Sequence, residues 1–561
     1  LITGVYATSL GTQRLRSQFP IPAAFRGYPS ELRDAGYFTT NNVKTDYNIR
    51  DEGAFVRATW DKNGRRAHWR DRREEQPFFS VFNLMTTHQS RTGVWPWEKF
   101  EKEVQSRLSV NERHDPAKVP LPPYYPDIPS VRRTLARYYD CVTVMDQEVG
   151  EILAELEADG LADDTIVFFY SDHGMGLPRG KRLLHDTGMH VPLIIRFPEK
   201  YLHLAPASPG ETIDRLVSFV DFPPTVLSLA GVPVPKHMQG IVFLGTHSGS
   251  PRRFVYGARD RIDEVFELSR SVRDHRHLYI RNYMPHLSWM PPESYSDNSI
   301  MRRDMKRLRS EGKLNELQLT YAAPRKPPEE LYDTRSDPHQ VRNLADSPEH
   351  RQVLERLRAE HVRWLLETRD AGFLTEPDVR RRARDGTPWE LARDSRRYPL
   401  EKIIQAALLV GEAGAVAAQA SLLKDPDAAV RYWAALGLNA AGKEAGSARK
   451  ALRTALEDEA VSVRVEAAAA LATLATQPAD ADRALQVLAK ALESDQVEAI
   501  LQAMRVLELL GDVARPVAPA IRKALSHARE RESTQKHPCW MFVRFSAEAA
   551  IKNLDAARDR E

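Results

Sequence analysis

The apolar run Ile166-Val167-Phe168-Phe169-Tyr170 ends on Ser171-Asp172-His173-Gly174, and Lys181 follows shortly after. A β-rich run of this kind predicts a buried strand. In open α/β sheets, ligand sites lie at the carboxyl ends of strands. Asp172 and His173 offer an oxygen and a nitrogen to a divalent cation, and Lys181 can hold an anionic substrate against it. Taken alone, the same residues also suit a turn with a helix cap.

The elements that must position these groups alternate between strand and helix from residue 1 to 285. Phe78 to Leu84 predicts a strand, and so does Val191 to Phe197. Val131 to Leu156 predicts a long amphipathic helix, with Leu135, Tyr138, Tyr139, Val142, Val149, Ile152 and Leu153 at helical spacing. A shorter helix is expected at Pro223 to Leu229, capped near Asp221. Val272-Arg273-Asp274 and Tyr279 to Asn282 read as an antiparallel pair. The alternation predicts an α/β fold with a mainly parallel sheet sandwiched by helices. Residues 286–370 read as a charged insertion or surface helix leading into a small α+β subdomain that starts at Glu330-Leu331-Tyr332-Asp333. Residues 371–398 read as a linker.

From residue 399 to 556 the composition turns to alanine and leucine. Leu422-Leu423-Lys424-Asp425-Pro426-Asp427-Ala428-Ala429-Val430-Arg431 recurs as Leu456-Glu457-Asp458-Glu459-Ala460-Val461-Ser462-Val463-Arg464, and a third copy begins at Leu492. A period of roughly 33 residues is that of a helical solenoid. This stretch resembles HEAT-type repeats and offers a candidate surface for a protein partner.

The 561 residues exceed one core and predict about three units. A net charge of +3 makes no bulk case for nucleic acid, so any anion preference has to be local. Two cysteines, Cys141 and Cys539, make no disulfide framework, which suits a reducing compartment or a large exported protein without staples. No apolar run approaches the roughly 20 residues of a membrane span. The sequence opens at Leu1-Ile2-Thr3-Gly4 without Met and reads as a chain lacking its start, so no export signal is legible.

Read in order, separated blocks of the first 370 residues resemble the sulfatase family of the alkaline phosphatase superfamily. They are Leu1 to Gly4, Leu32-Arg33-Asp34-Ala35-Gly36-Tyr37-Phe38-Thr39, Phe78 through Thr86-Thr87-His88, Tyr138-Tyr139-Asp140 and Asp146 to Gly150. Ser171 to Gly174, Gly180-Lys181 and Val191 to Ile194 follow, then Glu330 to Asp333 with Asp337-Pro338 and Asn343-Leu344.

The resemblance implies hydrolysis of a sulfate ester, or a sulfamate, on a carbohydrate. The nucleophile would be a formylglycine and the cofactor one Ca2+ ion. It implies that Asp172 and His173 are metal ligands and that Lys181, His88 and Lys44 contact the sulfate or act in catalysis. His88 would also protonate the leaving group. Asp46 stands where the family has a histidine two residues after the lysine, and an ionised carboxylate cannot donate to sulfate. Arg259 and Arg261, in Tyr256 to Glu264, can hold a sugar carboxylate or second sulfate; an internal salt-bridge cluster is the alternative. His185 and His190 are expected in surface roles. The family's Cys-x-Pro-x-Arg motif and first aspartate pair are expected ahead of Leu1, because Cys141 sits within a helix pattern without the Pro and Arg. The resemblance favours a periplasmic or extracellular location. Two other functions stay open: a phosphomonoesterase or phosphonate hydrolase of the same superfamily, and a non-catalytic scaffold built on the repeats.

Overall fold

In a computed structural model, residues 1–474, 478–535 and 537–558 are described. Strands β1 (Phe38–Asn42), β2 (Lys62–Asn63) and β3 (Phe78–Phe82) form a parallel sheet in the order β2-β1-β3. Phe38 lies beside Phe78 and Asn42 beside Phe82, so β1 and β3 end level with one another. Aromatic and β-branched residues favour this pleated, half-buried setting.

Strand β4 (Val167–Tyr170) pairs with β5 (Leu193–Arg196) in the antiparallel sense, with Phe168 opposite Ile195. A parallel neighbour was expected from the alternating pattern. A parallel return needs a crossover, usually a helix laid over the sheet. The connection here carries only the short helix Asp186–Met189 and folds back over the end of β4. Four further strands, β6 (Val255–Arg259), β7 (Ser269–Arg273), β8 (His277–Asn282) and β9 (Glu329–Asp333), form an antiparallel sheet in sequence order.

The long helix spans Pro129–Ala158, with Pro129 in the first turn where its missing N–H costs nothing. Its buried Val131 and Leu135 share a core with Met301, Met305 and Leu308. The segment from Met284 to Pro328 is therefore not a surface insertion. Helix Ile300–Ser310 places Met301, Met305 and Leu308 on one face, a stripe hidden in the sequence by the arginines between them. Residues 371–398 are likewise not a free linker, since Phe373, Leu391 and Tyr398 are buried there.

In the repeats, the recurring motif has a physical role at each turn. Asp427 accepts from Ala429 N–H at 2.8 Å and caps the helix that follows, and Asp458 accepts from Ala460 N–H at 2.8 Å in the turn just ahead of helix Val461–Leu474. Arg431 donates to the carbonyl of Asp425 at 2.8 Å and pairs with Asp458 of the next repeat at 2.6 Å. The repeats do not hang free. Trp433, in helix Ala428–Ala441, is buried against Phe373 and Tyr283 and donates from its indole N–H to the Phe373 carbonyl at 2.9 Å. One continuous apolar core runs from Phe19, Leu268 and Tyr283 through Trp433 to Leu554.

That continuity predicts one cooperative unfolding transition for the chain. Trp433→Ala should destabilise it by about 3–5 kcal/mol, lowering both parts together in differential scanning calorimetry. Two transitions, of which only the later part of the chain shifts, would refute the shared core.

Candidate active site

Three strand ends converge. Beyond β1, the Asn41 side chain donates to the carbonyl of Lys44 at 2.9 Å and accepts from the Asn83 side chain at 2.8 Å. Asn83 N–H donates to the Asn42 carbonyl at 2.6 Å. These bonds tie the loop carrying Lys44 to the one that leads from β3 to His88. Beyond β4, the chain doubles back, with Gly174 N–H on the Gly188 carbonyl at 2.9 Å and Lys181 N–H on the Met175 carbonyl at 2.7 Å. A Cβ at Gly174 would stand 1.9 Å from the Thr187 oxygen, and one at Gly180 would stand 2.3 Å from that of Met175. Only glycine permits these crossings, and the crossings turn Lys181 back toward Asp172.

The convergence is electrostatic as well as geometric. Lys44 Nζ lies 3.6 Å from Asp172 Oδ2, and His173 Nε2 lies 3.5 Å from Asp172 Oδ1. The His88 pKa is lowered to about 4, first by burial, then by the charges of Lys181, Lys44 and Arg91. The Lys181 pKa is lowered to about 8 by burial, then by Arg182 and Lys44. Lys181 has no carboxylate within ion-pair distance among the described residues. Cations held together in this way call for an anion.

Hydrogen bonds assign both imidazole tautomers. Ser90 N–H donates to His88 Nδ1 at 3.3 Å, and Ser90 Oγ lies 2.8 Å from the same atom. The proton of the neutral ring is then on Nε2, ready to donate. His173 is the reverse. Its Nδ1 faces the Gly174 carbonyl at 2.7 Å, which only accepts, leaving the Nε2 lone pair free beside Asp172. An imidazole oriented by a carbonyl on its far nitrogen is the usual state of a metal ligand. Burial, followed by the charge of Lys181, lowers the His173 pKa and keeps that lone pair available. The two residues fit a divalent cation in chemistry, but they are only two donors. Among the described residues no group of three or more His, Cys, Asp or Glu stands together.

Other expected residues fall elsewhere. Arg261 is not a substrate contact: it is buried, bonded to both oxygens of Glu376 at 2.6 and 2.9 Å, and further bonded to the Asp263 and Leu15 carbonyls. Arg259 is buried too, stacked 5.5 Å from the Trp289 ring, and lies on the Lys181 side of the structure. His185 is not at the surface; it is buried 3.3 Å from Glu330, while His190 is exposed. Asp46 is exposed in a left-handed turn, φ 52°. Cys141 packs with Phe100, Val104 and Val144, and burial raises its pKa to about 12. Arg91 and Arg182 join the positive cluster without having been singled out from sequence. Adjacency to His88 and Lys181 was their only signal.

The sulfatase family model matches residues 32–232, and a HEAT-repeat model matches residues 416–508. An ulvan-active sulfatase of Formosa agariphila is 39% identical over 415 residues, 68% of this chain and 68% of that protein. Human N-sulphoglucosamine sulphohydrolase is 30% identical over 281 residues, 48% of this chain and 54% of that enzyme. A solved phosphonate monoester hydrolase of Agrobacterium radiobacter superposes with a TM-score of 0.43 at 16% identity, over 64% of this chain and 85% of its own. The chain belongs to the sulfatase family, whose members are sulfuric ester hydrolases, and carries HEAT repeats behind the sulfatase region.

The depressed Lys181 pKa sets a pH dependence. The ammonium is present below about 8 and is lost above it, so affinity for inorganic sulfate should hold at neutral pH and fall as pH rises through about 8. Calorimetric titration at a series of pH values checks this, and Lys181→Met should flatten the decline. An affinity that is level through that range in the unaltered chain would remove Lys181 from the anion site.

Proposed function

We propose that this chain recognises and positions a sulfate ester on a carbohydrate for hydrolysis, with Lys44, Lys181 and His88 as the groups that touch the sulfate. The observation that carries the reading is the convergence of these three residues at strand ends beside Asp172 and His173. The named activities of the two relatives, toward ulvan and toward N-sulphoglucosamine, support a sulfated saccharide as the substrate class.

In this reading Lys44 and Lys181 hold the peripheral sulfate oxygens, and their fixed charge stabilises electron density as it moves off sulfur. Sulfate binding also opposes the charges that keep His88 neutral. His88 Nε2–H faces the bridging oxygen, and the incoming sulfate-ester anion raises the imidazole pKa toward the range of a general acid. Asp172 and His173 would hold a divalent cation, assigned as calcium, which when bound neutralises sulfuryl oxygens and lowers the pKa of a coordinated hydroxyl. Neither cysteine can provide the formylglycine nucleophile, because Cys141 and Cys539 are both buried inside helical packing.

The test is sulfate release from sulfated oligosaccharides by the full product of the gene. Lys181→Ala should lower kcat/KM by about 10²–10³-fold, and chelation should abolish release until calcium is restored. Phosphate release from a phosphomonoester outpacing sulfate release would overturn the assignment.

A further inference from the structure

We propose a second recognition site beside the sulfate cluster: a cavity walled by Lys181, Arg182, Arg259 and Trp289 that takes the carboxylate of an acidic sugar residue in the substrate. It rests on the sulfatase reading, since Lys181 borders both the cavity and the proposed sulfate position.

The cavity measures about 30 Å³, and Gln89, Glu293, Ser296, Ser299 and Arg302 are among the other residues that line it. Its walls hold polar atoms with nothing to bond. Arg259 Nε and its first terminal nitrogen are buried and without a hydrogen-bond partner, as are Arg182 Nε and Ser299 Oγ. Arg259 is only 6% exposed. A buried guanidinium with unmet donors is costly, and native proteins meet such donors with an anion or with water.

The neighbouring acids already have cationic partners. Glu267 stands 3.9 Å from Arg259, too far for a hydrogen bond, and is bonded at 2.7 Å to Lys326. Glu293, the acid in the cavity wall, pairs with Arg182 and accepts from Ser296 Oγ at 2.8 Å, and Asp263 pairs with Arg182 at 3.1 Å, so Lys181 and Arg259 are the cations left to an anion. Stacking on Trp289 holds the Arg259 guanidinium in place, so its unbonded donors keep fixed directions.

Shape selects the ligand. A planar carboxylate matches two adjacent guanidinium donors. The cavity is about twice the roughly 10–15 Å³ that one water needs by the same measure, room for the two oxygens of a carboxylate. Because Lys181 borders both places, the carboxylate and the sulfate belong to one saccharide, on the same ring or on adjoining rings.

The test is titration of the chain with a sulfated disaccharide containing glucuronate and with the same disaccharide after reduction of its carboxyl to the alcohol. The acid should bind about 10- to 100-fold more tightly, the range of a hydrogen bond to a charged group. Arg259→Gln should bring the ratio of the two affinities close to one, and Ser299→Ala, a smaller change to the packing, should reduce it severalfold. Equal binding of acid and alcohol by the unaltered chain overturns the carboxylate site and leaves sulfate recognition standing. Binding of neither overturns the sulfatase reading, and with it this one.

Discussion

The structure is organised around an unfavourable act, the gathering of like charges in partly dehydrated space. Lys44, Lys181, Arg91 and Arg182 all act on the same imidazole or on one another, and His88 and Lys181 lose basicity first through burial and then through these charges. Repulsion of this kind persists only where the surrounding backbone is over-determined. Here that determination comes from the level ends of β1 and β3, the Asn41–Asn83 bond that joins their loops, and the tight crossings at Gly174 and Gly180. Asp172 is the counterweight, within reach of both Lys44 and His173.

Around this cluster the arginines are stationed differently. Arg261 and Arg270 are fully committed to buried carboxylates, Arg261 to Glu376 and Arg270 to Asp260 and Asp370. These bonds fasten the antiparallel sheet to the segment that leads into the repeats. Breaking either by removing one partner would strand a buried charge, which costs far more than a surface pair. The repeats extend this bracing. Arg505 donates to the Pro292 carbonyl at 2.7 Å and pairs with Glu508 at 2.7 Å, and so supports the stretch that carries Glu293 to Arg182. The solenoid thus stands under one wall of the site as part of the same core, which is a different role from a detached docking arm.

Much of the candidate site could be proposed from sequence because its chemistry is local along the chain. Asp172, His173 and Lys181 fall within one strand-end segment, and His88 ends another, so each could be proposed from residue type and position. Arg259 and Arg261 could not be separated in the same way. They sit two residues apart in one charged stretch, yet one is bonded on every side and the other faces a cavity. The difference lies in Glu376, more than a hundred residues away, which no local pattern can report. His185 was misjudged for the same reason, since its partner Glu330 belongs to a distant strand.

The sequence by itself determined the strand ends, the long helix, the repeat period and the types of group available for chemistry. Those properties depend on spacing along the chain, on side-chain branching and on the turn chemistry of glycine and aspartate. Tertiary structure alone decided that β5 runs antiparallel to β4, that the Met284 to Pro328 segment packs on the long helix, and that residues 371–398 join two cores into one. It also decided which cations are neutralised and which are left waiting. Ion pairing is set by distance in space, and the carboxylates that satisfy these arginines arrive from parts of the chain that only folding brings near.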